Sequence, residues 1–199
     1  MGQALNIKSA VALHIPEVLV LNIKEIIRDH SCLIGSTYTL TEEEQRICRF
    51  IAWSRDKSNK DHDVTDQKIG DQSSEDTGLT GFSGEFAHCK LANLFPDFTV
   101  YPRGYKTDTG DAILLSKSVD VKTTRYVSGQ LRVLTTKNKF DLFALMTGDF
   151  PQYRFMGYMV GDELFQSERI VGPNKHKKYN YVAEQYELKD LSEIYLPLK

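Results

Sequence analysis

Residues 110–126 read GDAILLSKSVDVKTTRY, two short apolar runs on either side of Ser116 and Lys117. Runs of this length and composition, interrupted by small polar residues, predict a β-hairpin. With a two-residue loop at Ser116-Lys117, Asp111 faces Lys122 and Ile113 faces Asp120. Cross-strand partners share a face, and so do residues two apart on one strand. Asp111, Asp120 and Lys122 therefore converge, whereas a three-residue loop would reverse the parity and send Asp111 to the other side. The competing reading is an ordinary amphipathic strand, with Val119 and Val121 inward and Asp120 and Lys122 in water.

The hairpin sets the reading of its surroundings. FTVYPRGY (98–105), DAILLS (111–116), SVDVKTTRY (118–126), DLFALMTG (141–148) and YRFMGYMVG (153–161) are strand-like and separated by turn residues, so a sheet of about five strands is expected. Before them, Leu79, Phe82, Phe86 and Cys89 recur at helical spacing and predict a helix over about 80–94, with Glu85 flanking its apolar face. Thr41 with Glu44 three residues later forms a capping-box pattern for a helix over 42–56, and Pro16 precedes another over 17–29. Helices followed by a run of strands imply a mixed α+β fold, a central mixed sheet with flanking helices. We divide the chain into an N-terminal helical extension (1–60), a polar linker (61–78) and a main domain (79–199).

The 199 residues are 41% hydrophobic and 26% charged, the composition of a globular protein with one substantial core. No run approaches the roughly 18 apolar residues of a membrane span, and MGQALNIKSA has no basic-then-apolar signal pattern. No membrane partner is expected, and the cytoplasm is the expected location, that of the host if the chain is viral. Cys32, Cys48 and Cys89 are odd in number and form no CxxC pair, which argues against disulfides and a zinc or iron–sulfur site. DHD at 61–63 reads as a solvated loop rather than a metal site. The net charge is −2 but unevenly spread: residues 1–99 carry −5 and residues 100–199 carry +3. Residues 103–139 hold 8 bases and 3 acids, a local field suited to a polyanion.

Two carboxylates held close together repel, and a divalent cation between them relieves this. Mg²⁺ takes oxygen ligands and keeps several waters, so Asp111, Asp120 and the Val121 carbonyl suit it. Lys122 can orient a metal-acidified water or help deprotonate it, which matches phosphodiester hydrolysis. The spacing alone arises often by chance, so context has to carry the reading.

That context resembles the PD-(D/E)xK nuclease superfamily over about residues 79–165, and small phage-type members most of all. The family's core is a helix followed by a three-stranded meander. Here GFSGEFA supplies the helix glutamate, Glu85; TGDAILL supplies the strand aspartate, Asp111, with Gly110 where proline is usual; and Asp120-Val121-Lys122 stands as (D/E)xK. The resemblance implies a restriction-endonuclease-like core, Asp111, Asp120 and Glu85 as acids around Mg²⁺ or Mn²⁺, Lys122 as the catalytic lysine, and DNA as substrate. Arg103, Tyr105, Lys106, Arg125, Lys175, Lys177 and Lys178 are the candidate DNA contacts. His88, one turn from Glu85, is either a support for it or a core histidine. A homodimer through the N-terminal helices is a further expectation. The alternatives are a nuclease-fold protein that binds nucleic acid without cutting, and an interaction module that docks through its acidic N-terminal half.

Overall fold

The computed structural model describes residues 17–30, 32–62, 73–101, 110–135, 140–173 and 178–196. Its middle layer is a five-stranded sheet in the order β1 (Thr37–Thr39), β6 (Gln152–Val160), β5 (Leu142–Asp149), β3 (Lys117–Thr124) and β2 (Ala112–Leu114). All neighbours are antiparallel except β3 and β5, which run parallel. A parallel pair needs a crossover. Here it passes through β4 (Leu131–Leu134), which joins β8 (Asn180–Ala183) and β7 (Ile170–Val171) in a second, antiparallel sheet of three strands.

Strand β5, LFALMTGD, is buried on both faces, so it reads as a continuous apolar run. Leu142, Ala144 and Met146 enter a core shared with α1 (Glu17–His30), α2 (Glu42–Asp61), α3 (Ser74–Leu91) and α5 (Leu191–Tyr195). Phe143 and Leu145 enter a second core with Leu131 and Val133 of β4, Ala183 of β8 and Leu164 of α4 (Gly161–Leu164). The result is a mixed α+β fold in which the sheet is covered by helices on one face and by the small sheet on the other.

Several expectations shift for identifiable reasons. The fifth strand of the main sheet is β1, not 98–105; residues 98–101 are not strand and 102–109 lie outside the described residues. The ends of the stretch read as a polar linker are helical, and 63–72 lie outside the described residues. Helix α2 continues to Asp61, helped by an Asp56–Lys60 ion pair at 2.5 Å one turn apart, and α3 begins at Ser74 because the Ser73 hydroxyl caps the Asp76 amide. The division at 61–78 is also not a division of the core: Ile27, Cys48 and Ile51 share one cluster with Phe82 and Val121. The Thr41–Glu44 capping box forms as read, and the Glu44 carboxylate also takes the Tyr38 hydroxyl and the Lys90 ammonium, joining β1, α2 and α3. No described helix is long and apolar enough to cross a membrane.

Helix α3 lies against β3 at Gly84, where an added Cβ would fall inside the Thr123 side chain. Glycine normally weakens a helix interior by about 1 kcal/mol, but here it permits the contact. Gly84→Ala should therefore destabilise the protein by about 1–3 kcal/mol in urea melts. Combining it with Thr123→Ala should recover most of that loss, and equal costs in both backgrounds would refute the close approach.

Candidate functional site

The hairpin forms, but one residue earlier than its sequence suggests. Its turn is Leu115-Ser116, both left-handed at φ 49° and 65°, as a two-residue type I′ loop requires. Lys117 is the first residue of β3, and Ile113 faces Ser118 rather than Asp120. The frame moves by two residues in register, so the parity of faces within β2 is kept. Asp111 consequently does not face Lys122. Ala112 pairs with Val119, and the Asp111 amide donates to the Val119 carbonyl as well, at 2.8 Å, so two residues stand opposite one. This is a bulge, and it re-aims the Asp111 side chain.

Gly110 makes the bulge possible. Its φ is +80°, and a Cβ there would lie 2.6 Å from the Val119 carbonyl oxygen. Proline, fixed near φ −65°, cannot adopt this conformation, which accounts for glycine at the position. From the bulge, Asp111 Oδ2 accepts a 2.8 Å hydrogen bond from the Val121 amide, the peptide that links Val121 to Asp120. The N–H and C=O of one strand residue point to the same side. The Val121 carbonyl therefore also faces the sheet edge occupied by Asp111.

Asp120 is not in water. It is 8% exposed, on the opposite face from Val119 and Val121, beside Phe143 of β5. Its Oδ2 is paired with the Lys122 ammonium, whose side chain is 26% exposed. No hydrogen bond in the described residues satisfies that buried oxygen, so the lysine is its partner. The wet-strand reading fails for Asp120, because both faces of β3 are covered.

Glu85 stands apart from this pair, on the helical side of the sheet. Its Oε2 takes the Arg55 guanidinium at 3.1 Å, and Arg55 also donates to the carbonyls of Asp97 (2.8 Å) and Thr99 (3.1 Å) while its guanidinium lies over the Phe82 ring. The buried Cys89 thiol is pushed up to about 12, first by burial and then by the charges of Glu85, Asp111 and Asp97. Arg55 and Asp97 were not singled out in the sequence, because Arg55 begins a polar stretch and Asp97 follows Pro96 as an ordinary turn residue would. Their signal is the contact with Glu85, which only folding creates. Among the described residues, no three His, Cys, Asp or Glu side chains gather so as to hold a metal ion.

The remaining candidates scatter. His88 is a core residue: its Nε2 meets the Tyr158 hydroxyl at 2.8 Å, and burial lowers its pKa to about 4. Arg125 is exposed just past β3, and Lys178 is half-buried beside exposed Tyr179. Arg103, Tyr105, Lys106, Lys175 and Lys177 lie outside the described residues. At the end of α2, His62 Nδ1 meets the Ser58 carbonyl at 2.8 Å.

A family model described as "Family of unknown function (DUF5843)" matches residues 30–170, and the chain belongs to that family. No curated protein and no solved structure matches the chain.

His88 gives this region a pH signature. The folded chain holds the imidazole neutral, while the unfolded chain takes up a proton once the pH falls below about 6.5. Stability present above pH 6.5 is therefore lost toward pH 4, by on the order of 3 kcal/mol in all. His88→Gln should be less stable than wild type at pH 7, with the gap narrowing by about 2 kcal/mol at pH 5 in denaturant titrations. A gap independent of pH would refute the buried neutral imidazole.

Proposed function

We propose that this protein is a divalent-metal-dependent nuclease that hydrolyses DNA phosphodiester bonds. The supporting observation is the buried Asp120–Lys122 pair with Asp111 fastened to the next peptide. Burying a carboxylate costs several kcal/mol unless a partner compensates, so an acid kept there on a strand is a candidate for chemistry. The donors suit Mg²⁺ or Mn²⁺: carboxylate oxygens of Asp111 and Asp120, one of them buried with only the lysine against it, and the edge-facing Val121 carbonyl. Bound there, the cation would supply an acidified water and neutralise charge on the phosphate.

The chain's own groups have distinct tasks in this reading. Asp111 holds the Asp120–Val121 peptide in place. Lys122 turns its ammonium from Asp120 toward the attacking water and the phosphate, orienting one and stabilising the other. Glu85, the third acid, lies on the helical face of the sheet with Arg55 and not on the face of Asp120, so any action on the site comes from behind the strand. Arg125 and Lys178 contribute positive charge for the DNA backbone. The cytoplasm as location and a homodimer as assembly belong to the same proposal. The runner-up is a nuclease-fold protein that binds nucleic acid without cutting, which the closed Lys122–Asp120 pair favours.

Purified protein with Mg²⁺ or Mn²⁺ should nick plasmid and degrade linear DNA, and chelation should stop it. Asp120→Asn and Lys122→Met should each lower the rate by at least about 100-fold while circular dichroism stays unchanged. Cleavage by both variants at the wild-type rate would eliminate this site. DNA binding without cleavage would select the runner-up.

A further inference from the structure

The inward face of α2 carries Cys48, Ile51 and Ala52 into the core, while its outward face exposes Ile47 (42%), Phe50 (63%) and Trp53 (49%). Three large apolar side chains at helical spacing on an exposed face are unusual for a surface that contacts only water. The Phe50 and Trp53 rings stand 6.3 Å apart, and the Lys57 ammonium lies 5.4 Å from the Trp53 ring centre, so the stripe is continuous. The first turn exposes Glu42 and Glu43, at 3.6 and 3.8 Å from the Arg46 guanidinium. The last turns expose Lys57, in line with Phe50 and Trp53, and Lys60, which Asp56 already pairs.

We infer that this face pairs with the same face of a second copy of the chain, the two α2 helices running antiparallel about a two-fold axis at Phe50. A symmetric interface must be self-complementary. The axis at Phe50 sets Phe50 against its own copy, Ile47 against Trp53 on either side of it, and Glu43 against Lys57 one further turn out. Glu43 of each copy then meets Lys57 of the other, which a parallel pair would not achieve. The pairing gives the proposed homodimer its surface, and it is independent of the catalytic reading because association is measured without substrate.

A single helix seam is a small interface, so association on the order of micromolar is expected. Sedimentation velocity on the full chain, from about 1 to 200 µM, should show a monomer–dimer equilibrium that weakens as salt rises. Phe50→Glu should weaken it at least about tenfold without moving the melting temperature. Glu43→Lys and Lys57→Glu should each weaken it, and the double variant should restore it. The two positions are too far apart along one helix to touch within a chain, so rescue reports the contact between copies. A monomer throughout that range, or a dimer that survives Phe50→Glu, would overturn the inference.

Discussion

Asp120 is a carboxylate that the fold buries, and the Lys122 ammonium is what makes its position tolerable. The constraint comes from topology. β3 sits between β2 and β5 with helices over one face and β4 over part of the other, so a residue on either face meets protein. Two residues apart on one strand, the acid and the base share a face at fixed spacing, and the lysine reaches water with its head while its stem stays on the apolar surface. A paired buried charge is rarely the most stable solution; apolar residues of similar volume often do as well or better. The pair therefore reads as something the fold accommodates rather than something that holds it together. The holding is done by β5 and the two cores that it separates.

The parts of this arrangement that depend on local pattern were legible in the sequence. The Thr41 capping box, the apolar spacing from Leu79 to Cys89 and the apolar run of β5 each follow from short-range rules, and each element forms. The parts that depend on partners were not. β1 is only TYT, three residues whose strand character comes from pairing with β6. β8 is NYVA, and it becomes a strand because β4 and β7 flank it. Helix α3 starts six residues before the expected point because Ser73 caps a first turn with no apolar residue in it, and periodicity is silent there.

The candidate site divides along the same line. That Asp120 and Lys122 share a face is a matter of period two, and it was legible. That Asp120 is buried was not, because the alternation Val-Asp-Val-Lys describes a half-wet strand and the second core that covers its other face is assembled from separate strands. The turn was displaced by one residue because Leu115 and Ser116, neither a favoured left-handed residue, take that conformation to match the twist of the strands. The Arg55–Glu85 pair was invisible for a simpler reason: 30 positions separate the partners, and no local rule connects them.

Gly110 shows how backbone freedom and chemistry are joined here. A regular strand would have continued the β2–β3 ladder past Ala112, and the Val121 amide would have found a main-chain carbonyl. The left-handed turn at Gly110 ends the ladder and puts a carboxylate on that amide instead. A charged acceptor makes a stronger hydrogen bond than a carbonyl, so the sheet edge is not weakened by the exchange. It also brings a second negative charge within one peptide of Asp120. One glycine conformation thus decides both where the β2–β3 ladder stops and which side chain closes its end.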